Sequence, residues 1–277
     1  MGLGGTHGEC RIVPQMPGKI ALLVIASAAA VILASAPASQ AAPASEILGI
    51  TALGSGASEA WVLAPGGARS IVVFLHELGD PVPEKYLGWL DSLAAEESAV
   101  VFPRYQTAAT HSPQQMLRAI RVAVTRAERH LAGLPVTGFG GGPIKGVPVI
   151  VVGYGYGATL ALYVAASSGR WGLPVPKAVV GIFPRAGRFP GVALPRLARS
   201  TRVVLQVGDA DTRSAKSAAR DLWGTIESHP AARKRLVTVR SGGGFRADHG
   251  APLRLTSAAV NAFWAPLDQI VYDVRGG

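Results

Sequence analysis

Cysteine is nearly absent. Cys10 is the only one in 277 residues, which excludes a disulfide framework. Cys10 also precedes the apolar stretch of residues 20–36, inside the segment expected to be cleaved, so the mature chain is expected to have no thiol and a cysteine nucleophile is excluded. Acidic residues are scarce too, at 17 Asp+Glu against 27 Lys+Arg, for a formal charge of +10. The excess is dispersed, and its nearest approach to a run is Arg233-Lys234-Arg235. No zinc-finger, RNA-recognition or basic-zipper pattern accompanies it, so no specific nucleic-acid partner is indicated. The plain reading is a solvated arginine-rich surface, and an anionic cell-envelope surface is the partner that the charge would allow. Charged residues make up only 16% of the chain and hydrophobic ones 49%, which excludes a mostly disordered chain and suits one large core.

The N-terminus has the layout of a signal peptide. Arg11 and Lys19 supply positive charge, residues 20–36 are uncharged, Ala-rich and apolar but for two serines, and Ser39-Gln40-Ala41 offers a small-x-small cleavage site. Residues 1–41 are expected to be removed and the mature protein to lie outside the cytoplasm, with an uncleaved anchor as the alternative. Residues 42–60 form an N-terminal segment, and 61–277 a single domain.

Beyond residue 45, β-branched runs alternate with helical patterns. Strands are predicted at Trp61-Val62-Leu63, Ile71 to Leu75, Ala99 to Phe102, Val147 to Val152, Ala178 to Phe183, Val203 to Val207 and Leu236 to Val239. Several are continuously apolar, as strands buried on both faces are. Ser112-Pro113 opens a helix in which Met116, Ile120, Ala123, Ala127 and Leu131 share one face and Arg118, Arg121, Thr125 and Arg129 the other. Further helices are predicted over Thr159 to Ala166, Thr212 to Trp223 and Ser257 to Trp264; residues 138–143 and 241–244 are Gly-rich loops. The class is α/β, a mostly parallel central sheet covered by helices on both faces.

The segment that bears on chemistry is Val149-Ile150-Val151-Val152-Gly153-Tyr154-Gly155-Tyr156-Gly157-Ala158. A buried strand passes through Gly-x-Gly-x-Gly straight into a small-residue helix. Two patterns fit. Gly153 and Gly157 match the flanks of a Gly-x-Ser-x-Gly nucleophile elbow, with Gly155 on the serine position. Gly153, Gly155 and Ala158 equally match Gly-x-Gly-x-x-Ala of a dinucleotide fingerprint. The second needs an acidic residue about 20 positions on to hold a ribose, and that region offers Lys177 and Arg185 instead.

Other segments join the first pattern in order. Residues 71–80 end in His76-Glu77-Leu78-Gly79-Asp80, residues 100–106 follow as another strand, residues 203–211 end in Gly208-Asp209-Ala210-Asp211, and Ala247-Asp248-His249-Gly250 follows the last strand. Over Trp61 to Trp264 the chain resembles the α/β-hydrolases, in particular exported bacterial proteins related to dienelactone hydrolases and small esterases. The resemblance implies the α/β-hydrolase fold, Asp211 as the triad acid (with Asp209 the lesser candidate), His249 as the triad base, and an oxyanion hole built from the N–H of Tyr156 and that of Glu77 or Leu78. It implies a small-molecule ester or acyl ligand and no cofactor. It leaves the oligomeric state open.

The chain departs from that family twice. Gly155 cannot form an acyl-enzyme, and loss of the serine from such a triad costs roughly 10⁶-fold in turnover. Glu77 stands where the family commonly has glycine, and a carboxylate there opposes negative charge unless it faces solvent or pairs with an arginine. The expected function is therefore an inactive or weakly active esterase-like protein, a binder on a hydrolase scaffold. The alternatives are an atypical hydrolase using activated water or another nucleophile, an ordinary esterase altered at one codon, and the dinucleotide binder. Asp211 has a second reading as the cap of the next helix, and His76 one as support for the oxyanion loop. His76-Glu77 lacks the second histidine of a zinc-protease motif, since Asp80 stands there, so no metal is expected. His111 and His229 read as surface residues.

Overall fold

A computed structural model describes residues 49–107, 111–134, 146–194 and 196–276. The segment read as a signal peptide and the Gly-rich stretch at 138–143 lie outside the described residues. No described helix is long and apolar enough to cross a membrane.

The core is one eight-stranded sheet: β1 (Ile50–Leu53), β2 (Ala60–Leu63), β3 (Ser70–Leu75), β4 (Ser98–Pro103), β5 (Val149–Tyr154), β6 (Ala178–Ile182), β7 (Arg202–Gly208) and β8 (Lys234–Val239). Their order is β1-β2-β4-β3-β5-β6-β7-β8. The β1–β2 and β2–β4 pairs are antiparallel and the remainder parallel. Strands β3 to β6 are buried at every residue, which is why they read as continuous apolar runs.

Successive side chains enter opposite layers. Ile71, Val73, Leu75, Val149 and Val151 pack under helices α2 (Pro113–Ala132), α3 (Tyr156–Ser167) and α4 (Arg213–Thr225). Val72, Phe74, Val100, Ile150 and Val152 pack under α1 (Leu87–Ala95) and α5 (Ala265–Val274). Helix α2 starts where expected, with a capping box: Ser112 Oγ accepts from the Gln115 N–H at 3.3 Å and the Ser112 N–H donates to Gln115 Oε1 at 2.7 Å. Its apolar face is buried, and Arg118, Arg121 and Arg129 face solvent.

Three elements differ from expectation. Strand β1 falls before residue 61 and joins the sheet edge; four residues, the middle two exposed and the outer two half-buried, show no alternation and leave no pattern to read. Helix α1 follows a 3-10 turn and has no side-chain cap, so its start is unmarked. The C-terminal helix does not stop at Trp264. Residues Val260–Trp264 form a π turn that runs on into α5, and Pro266, which has no N–H to donate, lies just past this bulge.

Chain direction leaves the sheet two ways between β3 and β5. From β3 it goes to β4 on one side, and from β5 to β6 on the other. A crevice opens at the carboxyl ends of strands where order reverses in this way, and the residues following β3 and β5 are His76-Glu77-Leu78 and Gly155-Tyr156.

Candidate active site

Gly155 makes the turn from β5 into α3 at φ 60°, ψ −118°, angles that cost a non-glycine residue roughly 1–3 kcal/mol. The flanking glycines serve close approach. A Cβ on Gly153 would lie 2.1 Å from the Gly157 carbonyl oxygen, and one on Gly157 2.2 Å from that of Leu75. Strand and helix touch backbone to backbone here. Gly155 itself meets a side chain: a Cβ there would fall 1.7 Å from Glu77 Oε2.

The Glu77 carboxylate lies across the elbow. Its Oε1 accepts from the Leu78 N–H at 2.7 Å and from the Tyr156 N–H at 2.8 Å. Its Oε2 lies 2.9 Å from His249 Nε2 and 3.6 Å from Arg185 Nε. Of the two N–H groups offered as alternatives by sequence, that of Leu78 faces this point. The Glu77 N–H donates instead to Tyr86 Oη at 3.0 Å. The carboxylate neither turns to solvent nor sits beside the pair of donors; it fills the space between them.

His249 is brought to this carboxylate by the loop after β8. Tyr154 Oη donates to the His249 carbonyl at 2.6 Å, and the Tyr154 and His249 rings stack with centroids 5.1 Å apart. Arg254 grips Asp248 through both carboxylate oxygens at 2.7 and 2.8 Å. Asp209 binds Ser241 at the start of the same loop. Asp211 is buried, and its Oδ2 lies 3.4 Å from His249 Nδ1, the long end of hydrogen-bonding range. The cap of α4 is Thr212, whose Oγ1 accepts from the Ala215 N–H; Asp211 Oδ1 accepts from the Thr212 N–H one residue on.

Asp211, His249 and Glu77 form a line, and Arg185 sits against its last contact, with Nε 3.0 Å from His249 Nε2 and 3.6 Å from Glu77 Oε2. Burial alone would lower the His249 pKa. The bonds to Asp211 and Glu77 outweigh it, so the pKa is raised above the usual histidine value, against the opposing field of Arg185. A ring held between two carboxylates keeps its proton more readily than one held by a single carboxylate.

His76 lies behind the loop, fully buried, with Nδ1 and Nε2 each 2.6 Å from a carbonyl oxygen, those of Glu77 and Arg104. It stacks on Tyr105 at 3.9 Å, and Tyr105 Oη donates to the His76 carbonyl. Burial pushes its pKa down to about 4, against the pull of the two backbone bonds. Two non-glycine residues with positive φ border the site: Tyr105 at 38° and Phe183 at 52°, the latter packing edge-on against His249. Such angles persist where surrounding packing holds them.

Arg185 was visible in sequence only as a missing acid; its place three residues past β6, at a parallel strand's carboxyl end, was the available signal. His229, read as a surface residue, is buried, with Nε2 2.8 Å from the Thr201 carbonyl oxygen.

No protein-family model matches the chain, and no curated protein does so either. Solved structures do. The chain is similar to carboxyl esterase 2 from the mycorrhizal fungus Tuber melanosporum (17% identity, 82% of this chain and 86% of that one, TM-score 0.58). It is similar to an esterase/lipase from an uncultured bacterium (14%, 88% and 95%, TM-score 0.59). It also matches a dienelactone hydrolase from Anabaena variabilis (19%, 81% and 98%, TM-score 0.51). The chain has the α/β-hydrolase fold. At these identities the likeness carries the fold alone. At the turn from β5 into α3 this chain has Gly155, with the Glu77 carboxylate lying over it.

Proposed function

We propose that this protein does not perform serine-type ester hydrolysis, and that its elbow site is held closed to ester carbonyls by Glu77. One observation carries the reading: the Glu77 carboxylate takes the two backbone donors and the His249 ring nitrogen that an acyl substrate and a serine hydroxyl would otherwise share. Acyl transfer needs a nucleophile, a base, an orienting acid and donors for the oxyanion. Gly155 supplies no nucleophile, and the donors are already bonded to an anion of the protein itself. An ester carbonyl reaches them only by displacing a tethered carboxylate, an intramolecular competitor of high effective concentration.

Asp211 and His249 keep the order and placement of a triad's acid and base in this reading, and Leu78 and Tyr156 those of its oxyanion donors. Export belongs to the proposal too, on the strength of the apolar residues 20–36 and Ser39-Gln40-Ala41. The test is turnover of short p-nitrophenyl acyl esters by the mature chain, together with labelling by a serine-directed phosphonate. Background turnover and no labelling are expected. Turnover well above background, or a phosphonate adduct abolished by His249→Ala, overturns the reading.

A further inference from the structure

The two backbone donors at the elbow point at an oxygen of the chain. Leu78 and Tyr156 N–H are bonded to Glu77 Oε1. The carbon whose tetrahedral adduct they can stabilise is therefore Glu77 Cδ. A free carboxylate carbon resists water, whereas the carbon of its ester does not. Oε2 is the other end of the group, facing His249 Nε2 at 2.9 Å, with the half-exposed Arg185 beside it. The Glu77 side chain is 14% exposed, so the residue is not sealed off from the surface although its carboxylate faces inward. These features together are what making and hydrolysing an ester on Glu77 requires.

We propose that Glu77 Oε2 is a nucleophile toward a saturated carbon bearing a leaving group that departs as an anion, an alkyl halide being the simplest class, and that His249 and Asp211 then hydrolyse the glutamyl ester. The inference rests on the reading that Glu77, and no hydroxyl, occupies the reacting position.

In the first step a lone pair on Oε2 forms a bond to the alkyl carbon as the carbon–halogen bond breaks. The halide leaves with the bonding pair into solvent, on the side of the carbon opposite Oε2. Glu77 becomes a neutral ester. Its carboxylate no longer holds the proton on His249, which passes to solvent and leaves the ring free as a base. In the second step His249 takes a proton from water as the water oxygen bonds to Cδ. Negative charge collects on Oε1, between the Leu78 and Tyr156 N–H groups, and Asp211 steadies the imidazolium. Collapse breaks the Cδ–Oε2 bond, and His249 returns its proton to the departing alkoxide. The proton of the regenerated Glu77 acid returns to His249, restoring the starting pair, and the proton that His249 released in the first step balances the halide. The sum is alkyl halide plus water giving alcohol plus hydrogen halide. The alcohol carries an oxygen from Glu77, and Glu77 carries one from water.

The test uses n-hexyl bromide with the mature chain. In His249→Ala the ester should accumulate as one hexyl group per chain, mapped by mass spectrometry to the peptide holding Glu77 and absent from His249→Ala with Glu77→Gln. A second measurement needs no variant: one turnover of the native chain in heavy-oxygen water should give hexanol with ordinary oxygen and put one heavy oxygen into Glu77. No hexyl group and no heavy oxygen at Glu77, or a hexyl group that survives Glu77→Gln, overturns the inference. If p-nitrophenyl esters are also left uncleaved, that result sinks alkyl hydrolysis alone and leaves the reading of a closed ester site standing. Ester turnover that needs His249 sinks the reading itself.

Discussion

The carboxylate of Glu77 lies where a side chain on Gly155 would begin. In sequence these two residues are separate departures from the esterase pattern. In space they are one arrangement, because the absence of a Cβ at residue 155 makes the room that the carboxylate fills. Each substitution alone leaves a conflict or a void, which suggests pairs of changes as the informative experiments.

Gly155→Ser should lower stability. The residue would hold φ 60° with a Cβ, at roughly 1–3 kcal/mol, and would push the Glu77 carboxylate from its partners. A fall of several degrees in melting temperature is expected by calorimetry, and no gain in ester turnover, because the displaced carboxylate stays tethered over the site. An unchanged or higher melting temperature would count against the elbow geometry.

Gly155→Ser combined with Glu77→Gly should behave differently. The second change clears both oxyanion donors and releases His249. Turnover of p-nitrophenyl butyrate should exceed that of Gly155→Ser alone by about 10³-fold or more, and adding His249→Ala should remove the gain. Equal rates in the single and double variants would mean that Glu77 does not close the site.

Gly157→Ala tests the backbone contact. Its Cβ would meet the carbonyl oxygens of Leu75 and His76 at 2.2 and 2.3 Å, atoms of strand and loop that cannot rotate aside. The expected cost is at least the roughly 1–3 kcal/mol typical of overpacking, read from the urea midpoint. Gly224→Ala in α4 is the control, with nothing within 4 Å of its Cβ, and should be neutral or stabilising by up to about 1 kcal/mol.

Glu77→Gln should lower the His249 pKa, seen by following its ring protons through a pH titration. The sign for stability follows from linkage. The native pKa is raised above 6.5, so the stabilisation is fully present below the unfolded value and is lost as pH rises through the folded one. The stability lead of the unchanged chain over Glu77→Gln should therefore be larger on the acid side of that titration than on the alkaline side. Denaturant melts in both ranges check it, and a lead that grows with pH contradicts the contact between Glu77 and His249.

Much of this was legible along the chain. Strands β3 to β7 announced themselves as apolar runs, and the elbow as glycines at alternate positions after a strand, because both are local requirements of backbone and packing. The order of Gly155, Asp211 and His249, each past a strand end, placed all three at one edge of the sheet. The sequence could not decide between Glu77 and Leu78 as the source of an oxyanion donor. Adjacent N–H groups point in different directions, and only the loop's course sends that of Leu78 to the elbow and that of Glu77 to Tyr86.

By itself, then, the sequence determined the mostly parallel sheet, the close-packed turn at Gly155 and the absence of a hydroxyl at that residue, since each follows from residue identity and near-neighbour spacing. Only the tertiary structure decided where the Glu77 carboxylate goes. Its partners Tyr156 and His249 lie 79 and 172 positions away, and Arg185 arrives on the loop after yet another strand. A charge on a flexible side chain is placed by whatever donors the fold gathers around it, and those donors become neighbours only when the sheet has formed.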